Sequence, residues 1–187
     1  MPSILPFDEL NSVADDIRAK IAKTDGKLAK EDEEDIIDEL LDLFLLAYAT
    51  GNGVTNDNLS SSWKPTVDEV MDTVDAKVAG KTWEERVRDY AENGGTADDI
   101  VRIAETETHR IANEAALNTA RKAGATSKTW HCIMLPTSRD THVYLNGVTA
   151  PIDGVFYSFK GGSTQFPGQW GIAEEDVNCL CWLTFDK

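Results

Sequence analysis

The sequence predicts an α+β protein: an N-terminal helical bundle, a long connecting helix, then a small C-terminal α+β domain with few short strands and long loops. Three observations predict it. Up to about residue 123, apolar residues recur at intervals of three and four. Beyond Gly124 that period gives way to short runs of strand formers separated by turn signals: NG at 146–147, DG at 153–154, GGS at 161–163 and PGQWG at 167–171. Charge divides at a similar place, with 24 acidic and 10 basic residues in 1–100 against 9 and 8 in 101–187. The expected division is an acidic helical region over 1–95 and a second unit over 96–187.

Each element has its own signature. Phe7 to about Lys23 carries Leu10, Val13, Ile17 and Ile21 on one helical face. The run EDEEDIIDELLDLFLLAYATG crowds its acids into the first turn, where they suit the helix dipole, and Gly51 is its expected stop. Its apolar residues, from Ile36 to Tyr48, cover a wide arc, which predicts a central place in the bundle. NGVTNDNLSSSWKP reads as a polar loop, and Pro65-Thr66 opens a third helix through Val67, Val70, Met71, Val74 and Val78. Thr82 with Glu85 forms a capping-box pattern for a short helix to about Glu92. Thr96 caps a long helix that Gly124 ends, with a stripe of small residues (Ala104, Ala115, Ala116, Ala120) suited to close packing. TSKTWHCIML, VYL and VNCLCWLTF are the expected strands.

The 187 residues are 41% hydrophobic and 27% charged, a globular composition, and the net charge is −15. Such acidity disfavours direct binding to DNA or docking on anionic lipid, both of which need a Lys/Arg surface. Leu40 to Tyr48, interrupted by Asp42, is too short to span a bilayer, and MPSILPFDEL lacks the basic and apolar regions of a signal peptide. Three cysteines, Cys132, Cys179 and Cys181, make no disulfide framework and read as reduced thiols of a cytoplasmic protein.

Few residues offer chemistry. Glu105 and Glu107 stand about 200° apart around a helix and do not converge on one substrate. An ExE pair also belongs to the ADP-ribosyltransferase signature, with GGST at 161–164 as a conceivable serine–threonine element. The order here is reversed, and the acids lie on a helix. GKT at 80–82 lacks the upstream glycine of a phosphate-binding loop. His142 follows Arg139 by three residues, and on a strand Cys179 and Cys181 would point to one face. With His142 and a fourth group (His131, Cys132 or a carboxylate) they could hold zinc, although the usual C-x2-C spacing is missing. Two small core residues beside Trp182 and Leu183 are the plainer reading. A Cys–His nucleophile pair is formally available, with no sign of which thiol, base or oxyanion hole would serve.

The order of motifs in residues 100–185 resembles the phage head morphogenesis family, the minor capsid proteins typified by phage Mu protein F. The matching residues are Arg102 through Glu107 to Thr108, Trp130, Arg139 with His142 and Gly147, and Asn178 with Cys179 and Cys181. Two departures stand out. Asp176-Val177 occupies the place where many members have His, which weakens a shared His/His/Cys/Cys metal site, and Leu180 stands where many have Arg. The resemblance implies a non-enzymatic structural protein that enters the procapsid in few copies. It would associate with the portal, or with major capsid or scaffold proteins, and act in head assembly, DNA packaging or delivery from the capsid interior. No cofactor is implied, zinc being the one these residues could hold. The alternative is a Cys/His-based enzyme or toxin-like effector. For the motif residues themselves, the expected role is a buried polar cluster of Arg139, His142, Asn178, Cys179 and Cys181 that pins the loops to the terminal strand.

Overall fold

The computed structural model of the chain describes residues 5–24 and 28–187, so the first four residues of MPSILPFDEL lie outside the described residues. The architecture is α+β. Five helices come first: α1 (Phe7–Ala22), α2 (Lys30–Leu59), α3 (Val67–Val74), α4 (Trp83–Asn93) and α5 (Ala97–Lys122). Then follow β1 (Ser127–His131), α6 (Asp140–Leu145), β2 (Thr149–Pro151), β3 (Phe156–Tyr157), β4 (Ser163–Thr164), α7 (Ala173–Asp176) and β5 (Trp182–Asp186). Strand β1 is the centre of an antiparallel sheet of order β2-β1-β5, and β3 pairs with β4 in a two-stranded ribbon. No described helix is long and apolar enough to cross a membrane.

Capping boxes set the starts of α3, α4 and α5. Thr66, Thr82 and Thr96 each accept from the backbone N–H three residues on, and Glu69, Glu85 and Asp99 each return a carboxylate to the cap residue's own N–H. Gly124 takes positive φ just beyond α5, as the sequence predicts for its stop, and Gly94 does the same beyond α4.

The second helix runs eight residues past its expected stop. Gly51 lies inside α2, and a Cβ placed there would come 2.3 Å from the Ala112 carbonyl oxygen. Glycine here lets two backbones touch rather than ending a helix. The first part of the expected loop, Asn52 to Leu59, is therefore helical, and Ser60 in the left-handed region closes it. The third helix stops at Val74, and Val78 pairs with Lys81 in an isolated bridge. Two strands are also corrected. Val143-Tyr144-Leu145 lies in α6, whose buried Thr141, His142 and Leu145 follow helical rather than alternating spacing. Only the second half of VNCLCWLTF is strand, because Asn178 has φ +56 and turns the chain before the cysteines.

Two large apolar cores result. One gathers α1, α2, α4 and the first two-thirds of α5, with Phe44 edge-on to Trp83 at 5.1 Å. The other joins Leu117 of α5 to Trp130, Phe156, Phe166, Trp170, Cys179, Cys181 and Leu183. Helix α5 thus serves both, and Asn113 on it donates to the Cys181 carbonyl at 3.1 Å. At the far end of α2, Lys187 donates to the Leu59 carbonyl at 2.7 Å, meeting an acceptor the helix leaves open.

Candidate functional site

Three short segments converge on one buried cluster. Helix α6 carries His142 inward, where it stacks on Trp170 at 6.4 Å and meets Trp130 edge-on at 5.7 Å. Helix α7 brings Glu175 and Asp176, and the turn at Asn178 delivers Cys179 and Cys181. His142 Nδ1 lies 3.5 Å from Cys179 Sγ and 3.4 Å from Cys181 Sγ, and all three side chains are buried. The two thiols share one target although they do not lie on a strand. The convergence expected from strand geometry comes instead from the left-handed turn.

The opposite edge of the imidazole faces a carboxylate. His142 Nε2 is 3.1 Å from Glu175 Oε2, a close approach that makes no hydrogen bond. Glu175 is itself positioned by Thr141 Oγ1, which donates to Oε2 at 2.7 Å, with Ser158 Oγ 3.5 Å from Oε1. Asp176 accepts from the backbone N–H groups of Trp170 at 2.8 Å and Gly171 at 2.7 Å; burial raises its pKa, and those two hydrogen bonds oppose the rise. Between the thiols, the neighbouring Cys181 and then His142 lower the Cys179 pKa to about 5, while Cys179 pushes that of Cys181 up. The pair holds one easily lost proton and one tightly held proton.

A cavity of about 50 Å³ opens beside the sulfurs, lined by Cys132, Ser138, Arg139, His142, Cys179 and Cys181 among others. Ligand pockets are usually roughly 300 Å³ or more, so this space suits a few waters rather than a substrate.

The structure brings together most of the expected residues. Arg139 donates to the Val177 carbonyl, Trp130 packs on His142, and Gly147, at φ +81, donates to the Trp130 carbonyl at 2.8 Å. Asn178 differs from expectation: its side chain is exposed, and its contribution is the backbone turn. His131 lies on the other face of β1, stacked on Trp182 and bonded to Thr184 Oγ1 at 2.7 Å, and so is no partner for His142. Cys132 does line the cavity. Glu107 stands apart in the helical core, fully buried between Arg86 (2.5 Å) and Arg110 (2.6 Å). Sequence reasoning overlooked Glu175 and Asn113. The acid cluster EED just before Asn178 was the signal for the first, whereas Asn113 looked like any polar position on a helix.

No protein-family model matches the chain, and no solved structure gives a significant match. Two curated proteins do match. An NAD(+)–arginine ADP-ribosyltransferase of Enterococcus faecalis is 33% identical over 85 residues, 43% of this chain and 17% of that protein. A minor head protein of Bacillus phage SPP1 is 31% identical over 85 residues, 44% of this chain and 28% of that protein. The chain therefore covers less than a third of either relative. The likeness to the phage protein supports a phage head protein family at the level of distant similarity.

Proposed function

We propose that this chain is a minor head protein of a tailed phage or prophage, a non-enzymatic component acting in procapsid assembly at or near the portal and residing in the capsid interior. The observation that carries the reading is the 31% identity over 85 residues to the SPP1 minor head protein. The order of Trp130, Arg139, His142, Asn178, Cys179 and Cys181 and their convergence into one compact unit support it. The acidic helical half then serves as the docking arm, complementary to a basic protein surface and repelled by packaged DNA.

A second reading follows from the likeness to the ADP-ribosyltransferase: a toxin-like effector. The geometry disfavours this chain carrying that chemistry. Glu107 is enclosed between Arg86 and Arg110 with no surface for a dinucleotide.

The test is co-expression with the portal protein encoded nearby, followed by size exclusion with light scattering. A complex of fixed stoichiometry is the expected result. No complex at micromolar concentration, together with NAD-dependent labelling of arginine, would replace this reading with the effector. Retention on duplex DNA at about 0.15 M salt would refute the charge argument.

A further inference from the structure

We propose that His142, Cys179 and Cys181 form a tetrahedral site for a thiophilic divalent cation of the zinc class, with the fourth position open to the adjoining cavity. The site is independent of what the acidic arm docks on.

The distances carry this. With zinc–sulfur bonds of about 2.3 Å and zinc–nitrogen bonds of about 2.0–2.1 Å, a tetrahedral angle places nitrogen and sulfur about 3.5 Å apart. His142 Nδ1 stands 3.5 and 3.4 Å from the two sulfurs, and the three ligand atoms all lie within 4.8 Å of one another. One ring nitrogen facing two thiols equally is poor geometry for a nucleophile–base pair, which needs one thiol singled out. It is the expected geometry for two ligands beside a third.

The surroundings agree. A histidine that binds metal through one nitrogen normally presents the other N–H to a carboxylate, which fixes the ring and raises its basicity. Glu175 occupies that place, 3.1 Å from Nε2, and Thr141 holds it. Nε2 has no hydrogen-bond partner, so a small ring rotation on metal binding would complete this contact. The cavity of about 50 Å³ leaves room for a water as fourth ligand, and Cys132 borders it without belonging to the triad. Binding would form one metal–nitrogen and two metal–sulfur bonds and release the remaining thiol protons to solvent, with no change of oxidation state.

The experiment uses the full chain, reduced, stripped with a chelator, and titrated with zinc against a chromophoric competitor and separately with cobalt(II). The expected result is one equivalent bound, with tetrahedral d–d bands and a thiolate-to-cobalt charge-transfer band. Cys179→Ser and Cys181→Ser each lose that band, and Cys132→Ser keeps it. Glu175→Gln weakens binding about 10- to 100-fold. Should the serine variants fail to fold, the wild-type chain still decides: one equivalent of cobalt(II) gives the thiolate charge-transfer band, and added zinc abolishes it by displacement. No zinc uptake at tenfold excess, an octahedral cobalt spectrum, or a cobalt complex without the thiolate band would each overturn the proposal.

Discussion

Arg110 is the buried arginine that ties α5 to the end of α3. It is buried, pairs with Glu107 at 2.6 Å and Glu114 at 2.8 Å, and donates to the carbonyls of Thr73 at 2.8 Å and Val74 at 3.3 Å at the end of α3. Arg110→Met should cost about 3–5 kcal/mol in urea unfolding, because it leaves Glu107 with one partner and two carbonyls with none. The double change with Glu107→Leu should cost less than the single one; equal or greater loss would mean that the carbonyl contacts dominate. His109, one residue away, is the opposite case: it sits edge-on to Phe7 with Nδ1 unpartnered, and burial lowers its pKa to about 4 from 6.5. A depressed base pKa contributes stability that is complete above pH 6.5 and disappears as pH falls towards 4, since only the unfolded chain takes up the proton. Between pH 7 and 5, wild type should lose about 2 kcal/mol relative to His109→Leu. Parallel stability profiles for the two proteins would show that His109 is not held neutral.

Among the elements, α2 and α5 show what a local pattern can and cannot reveal. Thr96, Asp99 and Gly124 are local signals, and α5 follows them at both ends. Each of Thr66→Ala, Thr82→Ala and Thr96→Ala should cost about 1 kcal/mol of stability, measurable by thermal unfolding, and a neutral result at all three would deny the capping boxes any energetic role. Gly51 carries the same residue type with the opposite meaning, because its role depends on Ala112, 61 positions away. A sequence pattern shows a glycine but not the backbone that will lie against it. Gly51→Ala should destabilise by about 1–3 kcal/mol despite the better helix propensity of alanine, since a backbone carbonyl cannot rotate aside. Stabilisation instead would mean that the two helices separate freely. The site was legible in part for a similar reason. His142, Cys179 and Cys181 could be named from motif order, but the left-handed turn at Asn178 that joins them and the Glu175 behind them depend on tertiary placement. Val143-Tyr144-Leu145, apolar and strand-forming by composition, became helical because Thr141, His142 and Leu145 must face one core.

For the whole molecule, the arrangement of cores matters more than either alone. Helix α5 lines both, so neither can lose its packing without exposing the other's wall. Heat should therefore unfold the chain in one transition, with far-ultraviolet circular dichroism and tryptophan fluorescence coinciding; two resolved steps would show that the halves are energetically separate. Helix α5 also has a mechanical meaning. Its 26 residues make a rod about 39 Å long, clamped to α3 near its middle through Arg110 and to the cysteine turn through Asn113. A stiff rod does not absorb a displacement; it transmits it. Any load borne by the acidic helices reaches the carbonyl of Cys181 as a tilt of that lever.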